Sequence, residues 1–277
     1  MSSKSDPTVG VIGLGAMGRP AAELLAAAGY ETYAYDTDTA TLDKAAAKGV
    51  KPVDDLRRLG AASSVVLVFV PTDDDVIAVC SDEHGILAQA AAGSTILICS
   101  SVRPDTCEKV AALAATHRVD VLDAALTGGV RAAEAGTINL LVGGEAAVLD
   151  KVRPTLQPWC GTVHLLGGLG AGQVGKTVNN LCHWGQLSVI VEALRLGREL
   201  GVEPELLRAA LMDAPPASRT LKEMQLMRLT WHHKDLANAM KMAGSVNVDL
   251  PVATTVQEAM QHITVADIAD LYTPKEQ

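Results

Sequence analysis

The sequence predicts an α/β fold in two parts, a doubly wound sheet followed by an all-helical region. Short runs of β-branched residues alternate with alanine-rich helical stretches through the first half of the chain. Continuous apolar runs separated by helices are typical of parallel strands whose sheet is covered on both faces. After residue 168 no stretch is strand-like, and the periodic segments have helical spacing.

Five strands are predicted in the first part, at residues 8–12, 31–35, 65–70, 95–98 and 119–122. Helices are predicted over residues 16–28 and 38–48, after the first and the second strand. These helices end at Gly29 and Gly49, because glycine readily adopts the left-handed conformation that commonly follows a helix. The alternation of strands and helices is that of a doubly wound sheet.

The second part begins with a predicted helix over residues 173–200 that is apolar nearly all round. A helix of that kind belongs in a core or in a subunit interface, which predicts a homo-oligomer, with a dimer as the expected form. Further helices are predicted at residues 203–212, 221–226, 236–242 and 251–262. We place the domain boundary near Gly168, so that residues 1–168 form the sheet domain and residues 169–277 the helical domain.

Composition and charge exclude several classes of protein. The 277 residues carry 23 Lys and Arg against 32 Asp and Glu, a formal net charge of −9. This balance argues against nucleic acid as a partner, because phosphate binding needs clustered basic residues. No run of about 20 apolar residues suits a membrane span, and the N-terminus lacks the apolar core of a signal peptide. The five cysteines form no Cys-x-x-Cys pair, so we expect a cytoplasmic protein with reduced thiols.

A glycine-rich turn follows the first predicted strand. It fits the pattern G-x-G-x-x-G and consists of Gly13, Leu14, Gly15, Ala16, Met17 and Gly18. The first glycine of this pattern allows a tight turn, the second lets the backbone approach a pyrophosphate, and the third lets the helix pack closely on the sheet. The helix N-terminus then offers unpaired N–H groups to phosphates. With strand and helix in place on either side, the turn predicts a Rossmann-type dinucleotide site.

An acidic residue, Asp36, closes the second predicted strand 18 residues after Gly18. A carboxylate at this place accepts hydrogen bonds from the ribose hydroxyls and repels a 2′-phosphate. No arginine follows it, since the next residues are Thr37 and Asp38. NAD is therefore favoured over NADP as the cofactor. In the alternative interpretation the acid only caps the following helix, a role that suits Asp38 better than Asp36.

A second informative segment begins at Asp123 and follows the fifth predicted strand. Ligands of open parallel sheets bind beyond the carboxyl ends of the strands. Thr127 offers a hydroxyl there, and Gly128 and Gly129 leave their backbone N–H groups unshielded, so the turn suits a carboxylate. The alternative is a Thr-Gly-Gly sequence that serves only as a turn.

A third segment, residues 170–180, combines glycines with a lysine and two asparagines. Lys176, Asn179 and Asn180 stand at positions i, i+3 and i+4, which share one face of a helix. These polar side chains are costly to bury among apolar residues without partners, so we expect them to meet a ligand. The alternative is a surface lysine at the start of a helix.

Together these segments resemble the β-hydroxyacid dehydrogenases, a family that includes 3-hydroxyisobutyrate dehydrogenase and tartronate semialdehyde reductase. The resemblance is carried by Gly-Leu-Gly-Ala-Met-Gly-Arg-Pro, Asp-x-x-x-Thr-Gly-Gly, Gly-x-x-x-Lys-x-x-Asn-Asn and Lys-Asp-Leu, in that order. The resemblance covers essentially the whole chain, from Val9 to about His262. The resemblance implies a Rossmann domain followed by a helical domain like that of 6-phosphogluconate dehydrogenase, which would bind substrate and form the dimer.

The resemblance also implies catalytic and substrate-binding roles. The family's catalytic lysine falls on Lys176, and its substrate-binding asparagine falls on Asn180, with Asn179 beside it. The family's carboxylate-binding turn falls on residues 127–129. Thr127 stands where the family more often has a serine. Because this difference falls at the substrate pocket, the identity of the substrate does not follow from the resemblance.

The family's cofactor contacts lie at strand ends and in the helical domain. Its contact beside the nicotinamide falls on residues 100–102, with Ser101 as the best match, and Pro71 and Thr72 would form part of the cofactor wall. The lysine of its Lys-Asp motif, which lies near the cofactor, falls on Lys234. The resemblance therefore implies that both parts of the chain contribute to the cofactor site.

The expected reaction is reversible hydride transfer between C4 of a nicotinamide and the carbinol carbon of a small 3-hydroxy acid. Lys176 would be the general base in oxidation and the general acid in reduction. Near neutrality this role requires desolvation or a neighbouring positive charge, which lower the pKa of a lysine from about 10.4. Two alternatives are a reductase of the same fold for another carbonyl or an imine, and a catalytically silent NAD-binding regulator. The regulator would need Asp36 but neither Lys176 nor Asn180.

The expected partners follow from the same considerations. They are a small-molecule hydroxy acid and further copies of the chain, with no nucleic acid and no membrane. No metal site is expected, because the seven histidines show no ligand spacing.

Overall fold

The computed structural model describes residues 7–81 and 83–273. The chain divides into two compact units, Met1–Lys176 and Thr177–Gln277. The first unit carries a β-sheet, whereas the described residues of the second unit form helices and connecting turns.

The first unit is built on one eight-stranded sheet. Its strands are β1 (Val9–Ile12), β2 (Thr32–Tyr35), β3 (Lys51–Pro52), β4 (Val65–Val68), β5 (Thr95–Ile98), β6 (Asp120–Thr127), β7 (Ile138–Gly143) and β8 (Cys160–Gly167). They lie in the order β3-β2-β1-β4-β5-β6-β7-β8. Neighbouring strands are parallel except for β6 and β7, which are antiparallel. The ends of β1, β2, β4, β5 and β6 therefore meet at one edge of the sheet.

Helices cover both faces of this sheet. In the first unit they are α1 (Gly18–Ala27), α2 (Thr39–Ala46), α3 (Leu56–Ala62), α4 (Asp73–Val79), α5 (Pro104–Thr116), α6 (Gly129–Glu134), α7 (Ala146–Leu156) and the first turns of α8 (Ala171–Glu199). One apolar cluster includes Leu25 of α1 and Leu156 of α7. A second includes Leu59 of α3 and Val110 of α5. Two separate cores on one sheet confirm the predicted doubly wound α/β class.

The five predicted strands are all present, and two of them end elsewhere than expected. β4 stops at Val68, because Phe69 and Val70 already belong to the connection to α4. β6 continues to Thr127, five residues beyond its predicted end. Its extension stays in the sheet because it pairs along its length with β7, where Thr127 lies opposite Asn139.

The sequence does not predict β3, β7 and β8. It predicts a wholly parallel sheet, which is wrong for the pair β6 and β7. Only residues 128–137 separate β6 from β7. A parallel crossover needs a dozen residues or more, so the short connection through α6 returns the chain antiparallel. Most of β8 is exposed, and it therefore lacks the buried apolar run by which the other strands are recognised.

The second unit is helical, as predicted for this part of the chain. After α8 it contains α9 (Pro204–Met212), α10 (Arg219–Glu223), α11 (His232–Ser245), α12 (Pro251–Met260) and α13 (Val265–Asp270). Its core includes Leu187 and Leu194 of α8 together with Leu236 and Met260. The sequence does not predict α13, although Thr264 and Asp267 form a capping box at its start, a recognisable signal for a helix N-terminus.

Helix α8 matches the long helix predicted for residues 173–200. One side of it lies in the core of the second unit, where Leu187 and Val191 are completely buried. Another side is exposed, since Val178, Val189 and Leu196 are 54%, 63% and 62% exposed. Within residues 7–81 and 83–273, no helix combines the length and the apolar character needed to cross a membrane.

Candidate active site

The glycine turn after β1 has a shape that only glycine permits at two positions. Gly13 has a φ of +87°, and a Cβ there would lie 2.6 Å from the carbonyl oxygen of Phe69. A Cβ on Gly18 would overlap the carbonyl oxygen of Gly13. By contrast, no atom lies within 4 Å of a Cβ built on Gly15, the middle glycine. The turn is therefore tight on the protein side and open where a phosphate would approach.

Asp36 is fixed beside this turn by two backbone amides. Its Oδ2 accepts a hydrogen bond of 2.5 Å from the N–H of Leu14, and its Oδ1 accepts one of 2.8 Å from the N–H of Asp38. Asp38 is itself the N-cap of α2, where it accepts from the N–H of Ala40 at 3.0 Å. The cap is thus provided by Asp38, and the carboxylate of Asp36 is held at the end of β2, next to the glycine turn.

The start of α1 fits the phosphates of a dinucleotide. Its N-cap is Met17, and within the described part of the chain no side chain caps this end of the helix. The first turn also carries no acidic residue. The positive end of the helix dipole is therefore available to an anion, although the N–H of Arg19 already donates to the carbonyl oxygen of Gly15 at 3.2 Å and Pro20 has no N–H. Together with the open side of Gly15 and the carboxylate of Asp36, this arrangement can hold the pyrophosphate and a ribose of a dinucleotide.

Two further strand ends carry predicted cofactor residues. Pro71 and Thr72 follow β4, and Thr72 forms a capping box with Asp75 at the start of α4. The hydroxyl of Thr72 is thereby engaged with the carboxylate of Asp75 at 2.6 Å. Ser101 follows β5 and is exposed. These residues lie at the same edge of the sheet as the glycine turn, because their strands are parallel to β1.

The Thr-Gly-Gly turn lies where β6 leads into α6. Thr127 is the last residue of β6, and its hydroxyl is 3.5 Å from the carbonyl oxygen of Asn139 on β7. Gly128 and Gly129 have φ values of +114° and +72°, in the left-handed region. No atom lies within 4 Å of a Cβ built on Gly129. The backbone of this turn is therefore accessible from the side of Gly129.

The first turns of α8 pack directly on the sheet. A Cβ on Gly172 would collide with the carbonyl oxygen of Leu141 on β7 and would come within 2.6 Å of Oδ2 of Asp123. A Cβ on Gly175 would overlap the side chain of Leu166 on β8. Glycines at these positions let the helix lie against the strands. Lys176 is the residue directly after Gly175, so it belongs to this closely packed part of the helix.

Asp123 and Gln173 anchor this end of α8 through hydrogen bonds. The sequence alone predicts a role for neither residue. Asp123 is completely buried, and its Oδ1 and Oδ2 accept hydrogen bonds from the N–H groups of Gly170, at 2.6 Å, and Gln173, at 2.8 Å. Burial raises the pKa of the Asp123 carboxyl, while these backbone N–H groups act in the opposite direction. The signal in the sequence was an acidic residue directly after an apolar strand, which is costly unless it has partners.

The second unit contains the remaining predicted site residues. Asn180 is buried and accepts a hydrogen bond of 3.0 Å from the side-chain amide of Asn179. Lys234 lies in the first turn of α11, with its Nζ 6.0 Å from the centre of the Trp231 ring. The next residue, Asp235, accepts a hydrogen bond of 3.2 Å from the indole N–H of Trp184. The Lys-Asp motif is thus held by aromatic side chains of the same unit.

The same unit contains two neighbouring histidines at the start of α11. The rings of His232 and His233 are 3.9 Å apart. Burial, with the adjacent His233, lowers the pKa of His232, so that this ring is neutral near pH 7. Across the residues that the structure describes, no group of three or more His, Cys, Asp or Glu side chains could hold a metal ion.

The predicted site residues are divided between the two units. The first unit holds the glycine turn, Asp36, the strand-end residues, the Thr-Gly-Gly turn and Lys176. The second holds Asn179, Asn180 and Lys234. Lys176, Asn179 and Asn180 are all on α8, with the helical spacing that the sequence predicts.

Two family models together cover nearly the whole chain. Residues 8–168 match the model of the NAD binding domain of 6-phosphogluconate dehydrogenase. Residues 170–271 match the model described as NAD-binding of NADP-dependent 3-hydroxyisobutyrate dehydrogenase. The first match alone spans more than half of the 277 residues.

Curated relatives and a solved structure point to the same family. The chain is 31% identical to 2-(hydroxymethyl)glutarate dehydrogenase of Eubacterium barkeri, over 91% of this chain and 88% of the relative. It is 32% identical to 2-hydroxy-3-oxopropionate reductase of Escherichia coli, over 90% and 89% of the two chains. The structure of Mycobacterium tuberculosis 3-hydroxyisobutyrate dehydrogenase with L-serine superimposes with a TM-score of 0.85 at 27% identity, covering 96% of this chain and 99% of that one. The chain belongs to the β-hydroxyacid dehydrogenase family of NAD(P)-binding oxidoreductases.

Proposed function

We propose that the protein is an NAD-dependent dehydrogenase of a small 3-hydroxy acid, or a reductase of the corresponding semialdehyde or keto acid. The observation that carries this proposal is the anchorage of α8. The helix that bears Lys176 is tied by Gln173 to the strand end that bears Ser101. A lysine and a strand end suited to a nicotinamide therefore belong to one rigid part of the first unit.

The choice of NAD over NADP is supported by two carboxylates. Asp36 is fixed by the amides of Leu14 and Asp38, and Asp38 caps the adjacent helix. Both negative charges lie where β2 leads into α2, the place at which a Rossmann fold contacts the adenosine ribose. Ribose hydroxyls can donate to Asp36, whereas a 2′-phosphate would meet repulsion.

Lys176 is proposed as the general acid and base of the reaction. Bound NAD supplies the hydride acceptor, C4 of its nicotinamide ring. In oxidation, hydride leaves the carbinol carbon, the hydroxyl proton passes to Nζ of Lys176, and the C–O bond becomes a carbonyl. In reduction, the same ammonium group returns the proton to the carbonyl oxygen.

Binding and orientation of the acid are proposed for the turn at residues 127–129 and for the two asparagines. The Thr127 hydroxyl and the open backbone of Gly128 and Gly129 would hold the carboxylate. Asn180 would orient the substrate hydroxyl or the lysine, with Asn179 beside it. Holding the carboxylate contributes to rate only if it also places the carbinol carbon against the nicotinamide.

The chemistry of the relatives' substrates supports a 3-hydroxy acid. The names 2-(hydroxymethyl)glutarate, 2-hydroxy-3-oxopropionate and 3-hydroxyisobutyrate each describe an oxygen function on the carbon β to a carboxylate. We propose the same relation of reacting carbon to carboxylate here. We also propose that residues 1–168 serve cofactor binding, and that residues 169–277 serve substrate binding and dimerisation.

A substrate panel tests this proposal. Formation of NADH is followed by absorbance with C3–C6 3-hydroxy acids, each with NAD and with NADP. Matched 2-hydroxy acids and methyl esters of the 3-hydroxy acids serve as controls. We expect turnover of one or more free 3-hydroxy acids with NAD, and much weaker turnover of the esters and the 2-hydroxy acids. Equal turnover of esters and acids would contradict the proposed carboxylate site.

Replacement of Thr127 by valine should weaken substrate binding more than turnover. A hydrogen bond to a charged group is worth about 1.5–3 kcal/mol, so we expect KM for the acid to rise about 10-fold or more while KM for NAD stays unchanged. Steady-state kinetics of both substrates measure this. Thr116→Val, at the end of α5, removes an exposed hydroxyl elsewhere and should change neither constant. An unaltered KM in the Thr127 variant would remove this hydroxyl from the site.

The exposed apolar face of α8 should make the protein a homo-oligomer, which we propose to be a dimer. This face consists of Val178, Val189 and Leu196, which lie within about 20° of one line along the helix at 100° per residue. Exposed apolar stripes of this kind mark interfaces. Light scattering at micromolar concentration should give about twice the chain mass of 28.9 kDa. The double variant Val189→Lys, Leu196→Lys should dissociate, whereas Gln157→Lys should not. A monomeric wild-type protein would contradict the proposal.

A further inference from the structure

Gln173 makes hydrogen bonds through both its backbone and its side chain. Its backbone N–H donates to Oδ2 of Asp123 on β6, at 2.8 Å. Its side-chain amide reaches the end of β5, where Oε1 accepts from the N–H of Val102 at 3.1 Å and Nε2 donates to the carbonyl oxygen of Ser100 at 2.9 Å. The side chain is only 2% exposed. One residue of α8 is thus tied to two neighbouring strands of the sheet.

The two side-chain bonds of Gln173 lie on either side of Ser101. The amide binds the residue before Ser101 through its carbonyl and the residue after it through its N–H. It therefore replaces a strand neighbour for this short piece of backbone, satisfying two groups that are costly to bury unpaired. Ser100 is also held by the carbonyl oxygen of Val68, which accepts from its N–H at 3.0 Å and from its hydroxyl at 3.3 Å. The Gln173 amide therefore acts mainly on the backbone beyond Ser100, where it fixes the path of the chain from Ser101 to Val102.

We propose that Gln173 is a positioning residue that sets the distance between Lys176 and the strand end at residues 100–102. This inference rests on the proposed function, in which Lys176 moves the proton and Ser101 lies beside the nicotinamide. Lys176 follows three residues after Gln173, about 4.5 Å along the helix at 1.5 Å per residue. A helical turn is stiff over this length, so the strand end and the lysine move as one body.

Asp123 and the glycines of α8 also fix the start of this helix on the sheet. Asp123 binds the N–H groups of Gly170 and Gln173 and so fixes the axial position of the helix. Gly172 lets the helix approach the carbonyl oxygen of Leu141 too closely for any other residue. The first turn of α8 can therefore neither slide along the sheet nor lift from it without breaking buried hydrogen bonds.

The requirement for glutamine is specific. A methionine has nearly the same shape but neither donates nor accepts a strong hydrogen bond. An ionised glutamate can accept from Val102 but repels the carbonyl oxygen of Ser100, and a protonated glutamic acid can do both. Because misplacement of reacting groups by about 1 Å can cost about 100-fold in rate, these substitutions should affect the chemical step itself.

The test compares Gln173→Met with wild type and with Thr155→Val. Thr155 is completely buried on α7 and donates to the carbonyl oxygen of Val152 at 2.7 Å, so its variant loses a buried hydrogen bond away from α8. Three quantities are measured: hydrogen–deuterium exchange at residues 100–102 in the protein without ligands, NADH affinity, and single-turnover hydride transfer with the best acid of the panel. In the single-turnover experiment, the amplitude gives the fraction of enzyme molecules that can react. The rate constant depends on how well Lys176 and the strand end at residues 100–102 are placed.

For Gln173→Met we expect exchange at Val102 to accelerate and the hydride-transfer rate constant to fall about 10- to 100-fold. NADH affinity should remain within about 3-fold of wild type. Thr155→Val should at most lower the amplitude, with its rate constant unchanged. A deuterium label on the carbinol carbon must slow the observed phase in every variant, which identifies the phase as hydride transfer.

A second variant, Gln173→Glu, covers the case in which Gln173→Met does not fold. Its rate constant relative to wild type should be low at high pH and should recover as pH falls, because protonation restores the donor to Ser100. A wild-type rate constant in Gln173→Met, or in Gln173→Glu at every pH, would overturn the inference while leaving the proposed function intact. Full activity of Lys176→Ala, or no turnover by wild type, would instead overturn the proposed function and the inference with it.

Discussion

Replacing Lys176 with alanine should lower kcat by about 10²–10⁴-fold, the range that general acid–base catalysis contributes. The affinity for NADH, measured by fluorescence titration, should stay within about 3-fold of wild type, because the glycine turn and Asp36 belong to elements other than α8. This effect is expected to be the largest of any single substitution in the protein. Single-turnover measurements should show the loss in the rate constant for hydride transfer.

Two further variants separate the role of a base from the role of a charge. Lys176→Arg keeps a positive charge but cannot lose its proton near neutrality, so it should be nearly as inactive as Lys176→Ala. Lys109→Ala removes an exposed lysine that is paired with Asp105 on α5, and it should retain wild-type kcat. Substantial activity of the arginine variant would indicate that Lys176 contributes only charge.

Replacing Asp36 with alanine should lower kcat/KM for NAD relative to NADP by about 100-fold. Hydrogen bonds to a charged group are worth about 1.5–3 kcal/mol, so loss of the bonds to a ribose accounts for about 10- to 100-fold against NAD. Removal of the negative charge also relieves repulsion of the 2′-phosphate, which favours NADP. Steady-state kinetics with each cofactor measure the ratio directly.

The controls for Asp36 address its structural contacts. Asp36→Asn retains an acceptor for the N–H of Leu14 and should give an intermediate ratio. Asp55→Ala removes the N-cap of α3, where the carboxylate accepts from the N–H of Arg57 at 2.8 Å, and should leave the ratio unchanged. If Asp36→Ala also keeps the wild-type ratio, the carboxylate serves only to join Leu14 and Asp38.

The parts of the fold that local patterns encode could be predicted from the sequence. The five apolar runs became strands β1, β2, β4, β5 and β6, and the glycine turn after β1 has the tight geometry that its spacing predicts. The spacing of Lys176, Asn179 and Asn180 also placed them correctly on one helix, because helical periodicity is a local property. The family resemblance added the roles of these residues.

The parts that depend on distant partners could not be predicted in this way. The direction of β7 follows from the length of the connection through α6, and β8 is stabilised by pairing with β7 while most of its residues are exposed. The anchors of α8 join residues far apart in sequence: Asp123 binds the N–H of Gly170, and Gln173 binds Ser100. Nothing near Gln173 in the sequence distinguishes it from a surface glutamine, because its hydrogen-bond partners are about 70 residues earlier in the chain, after β5.

Transfer of deuterium from substrate to cofactor tests the central claim most directly. The best 3-hydroxy acid of the panel is prepared with deuterium on its carbinol carbon and incubated with NAD and the enzyme. Mass spectrometry of the NADH should show one deuterium, because hydride passes from that carbon to C4 of the nicotinamide. NADH without deuterium, or an acid consumed without NADH, would contradict the assignment of the protein as a 3-hydroxyacid dehydrogenase.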